Sequence, residues 1–287
     1  MPKLIIGCGY LGYRVAQRWL DAGESVTALT RSVARADELR RDGITPIVGD
    51  VTRPDTLADL PQADTVLIAV GYDRRAAPSI EDVYVEGLRN LLSALSPSVE
   101  RVIYISSTGV YGQNNGGWVD EQSPCEPLRA GGRACLAAET LLGSHPLGQK
   151  SVVLRLAGIY GPGRVPRQRE ITGGDAIDAP QEGHVNLIHV DDAARIVLLA
   201  ESSATPPALY TVSDGQSVNR GDYYREVARL LDAPAPTFVT PPPDSPAALR
   251  AVSDKRISNR RLMADLSPTL QYPSYREGLA AILAAER

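Results

Sequence analysis

The chain has 287 residues, 43% of them hydrophobic, enough apolar material for a full α/β core and a smaller appended lobe. Its 30 Lys and Arg against 34 Asp and Glu leave a formal net charge of -4, so no basic excess exists to neutralise phosphates, which argues against a nucleic-acid partner. No stretch approaches the about 18 consecutive apolar residues of a membrane span, and the N-terminus enters a strand pattern at once, so the expectation is a cytoplasmic protein with no membrane partner.

In chain order, the first element is a short apolar run from Lys3 to Ile6 that leads into Gly7, Gly9 and Gly12 and then into an amphipathic helix. Val15, Ala16, Trp19 and Leu20 form the helix's apolar face, and Gly23 fits its C-terminal cap. Strand, glycine turn and helix together predict a dinucleotide site. Gly7 supplies the tight turn, Gly9 lets the backbone approach a pyrophosphate, Gly12 packs helix against strand, and Tyr10 and Leu11 open the helix whose free N–H groups face the phosphates.

Ser25 to Thr30, Thr45 to Val48, Thr65 to Val70, Val102 to Ser106 and Val152 to Leu156 are further β-rich runs, most of them separated by helical patterns. That alternation predicts a Rossmann-type, doubly wound parallel sheet over residues 1–163, joined by a return helix at 191–201 with Asp191 as N-cap. Residues 164–190 and 202–287 are expected to form a smaller C-terminal α/β lobe that binds substrate. The helix from Ile80 to Leu95 carries Val83, Tyr84, Gly87, Leu88, Leu91, Leu92 and Leu95 on one face, broad enough to suggest a partner surface. Ala233 to Pro246 holds six prolines and reads as an extended surface connection.

The end of the second strand bears on cofactor choice. A free ribose is normally held by an acidic side chain there, whereas a 2′-phosphate needs a cation. This chain has Thr30-Arg31-Ser32. Arg31 can pair with the phosphate and Ser32 can donate to it, which favours NADP(H) over NAD(H); the alternative is that Arg31 is a solvated loop charge. Asp50 is placed either to accept from the adenine amino group or to cap the next turn. Val51, Ala69, Val70, Gly71 and Ser106 complete the expected cofactor set. Cys8, Cys125 and Cys135 lack metal-ligand spacing and read as reduced thiols, with no metal site.

With Tyr104-Ile-Ser-Ser-Thr-Gly-Val-Tyr-Gly112 added, the sequence resembles the extended short-chain dehydrogenase/reductase superfamily, in its NAD-dependent epimerase/dehydratase branch. Tyr84-Val-Glu-Gly-Leu-Arg-Asn-Leu-Leu92, Leu154-Arg-Leu-Ala-Gly-Ile-Tyr-Gly-Pro162, Leu187-Ile-His-Val-Asp-Asp-Ala-Ala-Arg195, Leu209-Tyr-Thr-Val-Ser-Asp214 and Tyr272-Pro-Ser-Tyr-Arg-Glu-Gly278 carry the resemblance along nearly the whole chain. It implies that Ser107 donates its hydroxyl to the substrate's reacting oxygen; the alternative is a serine that only closes a strand-end turn.

The same resemblance exposes a gap. The family's proton donor is a tyrosine one helical turn before a lysine, which lowers the phenol's pKa and holds the cofactor ribose. Alignment through Leu136-Ala-Ala-Glu139 puts Gly131 and Cys135 at those positions, and Lys3, Lys150 and Lys255 are the only lysines in the chain. The family's usual first glycine is replaced by Ile6. Both departures resemble the atypical members of the superfamily.

Two replacements for the acid stand out. Tyr111 lies four residues beyond Ser107 and is either a phenol facing the nicotinamide or a packing residue. Cys135 is either an ionisable thiol or a space filler. For the substrate, Thr108, Arg133, Gly158, Arg164 and Arg167 are the candidates, with Arg169 beside them. Gly131 and Gly132 either bind a substrate anion or simply open the helix.

Two function classes follow. One is an NADP(H)-dependent oxidoreductase or epimerase acting on a small hydroxyl or carbonyl substrate such as a sugar nucleotide, through a non-standard site. The other is a catalytically inactive NADP(H)-binding redox sensor with a protein partner. Homodimerisation is expected from the apolar face at 80–95 and from the resemblance.

Overall fold

The computed structural model describes residues 1–73, 75, 77–243 and 245–285. The apolar run at the N-terminus is strand β1 (Pro2–Ile6), with Leu4, Ile5 and Ile6 fully buried. It feeds helix α1 (Tyr10–Asp21), and a left-handed Gly23 just past the cap lets the chain turn back. Strand β2 (Ser25–Thr30), helix α2 (Val33–Arg41), β3 (Thr45–Val48), β4 (Thr65–Ile68), helix α3 (Gly87–Ala94), β5 (Arg101–Ser107), helix α4 (Ala130–Ser144), β6 (Ser151–Leu156), helix α5 (Val190–Ser203) and β7 (Ala208–Val212) follow.

The seven strands form one sheet in the order β7-β6-β5-β4-β1-β2-β3. β1 pairs in parallel with β2 and β4, β2 with β3, and β4 with β5. Chain order reverses at β1, so the loops after β1 and β4 leave the same edge of the sheet on either side of a crevice, where open α/β sheets take their ligands.

The chain divides into two compact units. Residues 1–110, 130–155 and 194–210 form the first, and 111–129, 156–193 and 211–287 the second. This grouping differs from a boundary at 163: the segments 111–129 and 156–163 lie in the second unit and 202–210 in the first.

In the first unit, Leu88, Leu91, Leu92 and Leu95 sit in the same core cluster as Leu4, Ile6, Val66, Ile68 and Val102. These four leucines of the broad apolar face are therefore part of the chain's own core. Lys3 is almost fully buried and pairs with Glu201, which also accepts from Trp19 Nε1 at 2.7 Å and Thr65 Oγ1 at 2.8 Å. One carboxylate thus ties β1, β4, α1 and α5 together.

In the second unit, tyrosines do much of the packing: Tyr160, Tyr223, Tyr224 and Tyr275 are buried with Leu279 and Ile282. Short strand pairs frame it, among them Asn114–Val119 with Asp254–Ile257 and Gly158–Tyr160 with Leu187–His189, both parallel. Within the proline-rich segment, Phe238–Val239 pairs with Ile177–Asp178. Helix α5 starts one residue earlier than expected, so Asp191 lies inside its first turn, and the role expected of Asp191 falls to His189, whose Nδ1 accepts from the Asp191 N–H at 3.2 Å. Fully buried Asp192 accepts the N–H groups of Gln271 at 2.8 Å and Tyr272 at 2.9 Å. Among the described residues, no helix is long and apolar enough to cross a membrane.

Candidate nucleotide and reaction site

The three glycines after β1 differ in their surroundings. Gly7 has φ +98°, and a Cβ there would stand 2.5 Å from the Ala69 carbonyl oxygen, because the end of β4 passes directly over the turn. A Cβ on Gly12 would meet the Gly7 carbonyl oxygen at 2.4 Å, so α1 packs onto the turn only through a glycine. Among the described residues, a Cβ on Gly9 would meet nothing within 4 Å. The protein fills the space at two glycines and leaves it open at the third, where a pyrophosphate would approach.

Helix α1 begins beside that opening. Gly9 provides no side-chain cap, and no acidic residue occupies the first turn, so its first N–H groups and the positive end of the helix dipole remain available to an anion. Arg14 lies over the Tyr10 ring at 4.3 Å and donates to the Tyr10 carbonyl at 2.8 Å, while Leu11 is buried. These residues fit a dinucleotide pyrophosphate.

Past the end of β2, Arg31 is exposed and makes no ion pair among the described residues. Ser32 caps α2, its Oγ accepting from the Arg35 N–H at 3.3 Å, which leaves the hydroxyl proton to donate. The Thr30 carbonyl accepts the Gly49 N–H at 2.9 Å. Asp50 closes a turn: its Oδ1 accepts the Thr52 N–H at 2.9 Å and the Thr52 hydroxyl at 2.8 Å. Of the two roles open to Asp50, the turn is the one its Oδ1 performs. Val51 is buried against Gly87, while Ala69, Val70 and Gly71 run on beyond β4, which ends at Ile68 and not at Val70.

At the end of β5, alternation sends two serines to different tasks. The Ser106 hydroxyl donates to Glu139 on α4, and Glu139 forms a buried ion pair with Arg155 on β6 at 2.6 Å. The Ser107 Oγ accepts the Gly109 N–H at 3.0 Å. That bond uses a lone pair and leaves the O–H proton available to donate. Thr108 begins the short 3₁₀ turn that follows.

Gly131 and Cys135 are one turn apart on α4, as the alignment requires. Cys135 is buried, and burial together with the Glu139 carboxylate pushes its thiol up to about 11. It is a neutral thiol at pH 7, which argues for the space-filling role. Arg133 is exposed on the same helix.

The remaining candidates belong to the second unit. Tyr111 is 2% exposed, a packed side chain whose carbonyl accepts from Lys255 Nζ at 2.9 Å. Lys255 is itself buried; burial first, then the Arg129 charge, bring its pKa down to about 8. Gly158 and Arg164 are exposed. Arg167 is paired with Glu170 at 2.6 Å and donates to the Asp178 carbonyl at 3.3 Å, so its guanidinium already has anionic and polar partners of its own. The composition and motifs gave no sign of the Ser106–Glu139–Arg155 network, because each member lies on a different element.

The model of the NAD-dependent epimerase/dehydratase family matches residues 4–212. Protein YeeZ of Escherichia coli strain K12 is 30% identical over 275 residues, covering 94% of this chain and 95% of its own. A solved structure from Methylobacillus flagellatus, described as an NAD-dependent epimerase/dehydratase, is 35% identical with a TM-score of 0.80, covering 100% of this chain and 98% of that one. UDP-glucose 4-epimerase of Thermus thermophilus, solved with NAD, is 20% identical with a TM-score of 0.79 over 99% of this chain and 98% of that one, a likeness of fold. The fold is an epimerase/dehydratase-like, NAD(P)-binding Rossmann fold.

Proposed function

The chain belongs to the NAD-dependent epimerase/dehydratase family, and from that premise we propose that it is an NADP(H)-dependent oxidoreductase of a small hydroxyl or carbonyl substrate. The observation that carries the cofactor choice is Arg31, exposed and without an ion pair among the described residues, followed by the Ser32 hydroxyl, where an acidic side chain would hold a free ribose. A guanidinium pairs with a 2′-phosphate, and a carboxylate there would repel it.

Bound in this cleft, the nicotinamide dinucleotide would carry the hydride. The glycine turn and the start of α1 hold its pyrophosphate, Arg31 and Ser32 its 2′-phosphate, and the Ser107 hydroxyl donates to the substrate oxygen. Titration calorimetry tests the assignment. NADPH is expected to bind at least about tenfold more tightly than NADH, a difference of about 1.4 kcal/mol, and Arg31→Asp should erase it. Equal affinities in the unmutated protein would refute the preference.

A second reading, an inactive NADP(H)-binding redox sensor, is favoured by Gly131 and the neutral Cys135 thiol, which supply neither the family's phenol nor its ammonium. It predicts NADPH binding without turnover.

A further inference from the structure

Gly131 leaves room that it does not fill: among the described residues, a Cβ added there would meet only Ile80 Cδ1, at 3.5 Å, an ordinary contact. Close by in sequence, Cys135 faces a cavity of about 120 Å³ that is also lined by Ser106, Ser107 and Tyr84. A single water needs roughly 10–15 Å³, so this space accommodates several waters or a small organic group next to the Ser107 hydroxyl. Tyr84 arrives from another helix. At Asp82–Glu86 that helix makes a π turn before continuing as α3, an irregularity that recurs at functional sites because it redirects side chains. The Tyr84 ring meets Tyr72 edge-on, with centroids 6.4 Å apart.

We propose that Tyr84 is the proton donor to the substrate oxygen, taking from a different helix the role that α4 no longer fills. The proposal rests on the NADP(H)-dependent reading above. A carbonyl carbon receives a hydride, with its electron pair, from the reduced nicotinamide; the C=O π pair moves onto oxygen, which accepts the hydrogen bond of Ser107 and takes the phenol proton of Tyr84. The products are an alcohol, the oxidised nicotinamide and a tyrosinate that regains its proton from water. Among the described residues no Lys or Arg lines the cavity, and burial first, then Cys135, hold the phenol above its ordinary value. Tyr84 therefore keeps its proton at neutral pH, which suits reduction of a carbonyl better than oxidation of an alcohol.

The test uses protein labelled at the tyrosine ring carbon that bears the hydroxyl, followed by NMR with NADPH and with NADP⁺ as probes. The Tyr84 signal is identified by its loss in Tyr84→Phe and, independently of whether that variant folds, by its displacement in Cys135→Ala. It should move when NADPH binds and move differently with NADP⁺, whose nicotinamide carries a positive charge; a ring that only packs the helix would not distinguish the two. With a small aromatic aldehyde as carbonyl probe, Tyr84→Phe should lose 10²-fold or more in NADPH oxidation at unchanged NADPH affinity. NADPH binding that leaves the Tyr84 signal in place, or equal rates in the two proteins, overturns the assignment alone. Absence of NADPH binding to the unmutated protein overturns the cofactor reading and this assignment with it.

Discussion

Asp214, in the second unit, is 6% exposed; its Oδ1 accepts the Gln216 N–H at 2.8 Å and its Oδ2 is buried with no hydrogen-bond partner among the described residues. Burial is the main cause that pushes its carboxyl up to about 7 from an ordinary 3.8, with the Glu277 and Asp192 charges adding to it against the Gln216 N–H. The folded state therefore holds this proton more tightly than the unfolded chain does. Its stabilising contribution is fully present below about pH 4 and is lost as pH rises to about 7. A difference of about three between folded and unfolded pKa corresponds to about 4 kcal/mol, a large fraction of the 5–15 kcal/mol typical of a folded domain. Asp214→Asn removes the charge and keeps an oxygen for Gln216. Urea denaturation at pH 5 and pH 8 should therefore show the variant gaining on the unmutated protein by about 2–3 kcal/mol between the two pH values. Comparing the two proteins cancels the opposite slopes of carboxylates held low, such as Glu24 and Glu226. A stability difference that stays constant from pH 5 to 8 would refute the reasoning.

Two further outcomes follow from the first unit. Gly9→Ala should leave urea stability within about 0.5 kcal/mol and weaken NADPH binding tenfold or more in calorimetry, whereas Gly12→Ala, forced against a backbone oxygen, should cost about 1–3 kcal/mol in the absence of any ligand. Glu139→Ala removes the carboxylate paired with the Arg155 guanidinium, itself only 5% exposed, and should cost about 3–5 kcal/mol by urea denaturation, with little dependence on salt because the pair is shielded from solvent.

The sheet was legible because local signals agreed with one another. The β1 turn with its three glycines, and the strands at 25–30 and 45–48, appear where the apolar pattern and turn residues put them. Val70 was drawn into β4 by its β-propensity, but the chain leaves the ladder after Ile68 to pass over Gly7, a tertiary requirement that no local pattern carries. Broad apolarity at 80–95 looked like a surface awaiting a partner. A helix pressed between its own sheet and its neighbours shows the same pattern, so periodicity could not separate the two. In the candidate site, the glycine turn was readable from spacing, and Ser107 was singled out by the family resemblance. Asp214, Tyr84 and the Glu139–Arg155 pair were not, since what distinguishes them is burial and the company of residues far away in sequence. Tyr84 did carry one signal, an aromatic on a helix face otherwise lined with aliphatic residues, but only the structure places it at the cavity beside Ser107 and Cys135.

The contrast among the three glycines also bears on how this chain could drift. At Gly7 and Gly12 the constraint is internal, so any descendant that still folds must respect it whatever it binds. At Gly9 the fold imposes none, and only a visiting molecule would object to a side chain. In a descendant released from nucleotide binding, position 9 is therefore where substitution would begin, and a larger residue there in an otherwise intact loop would record the loss of the ligand while the fold persisted.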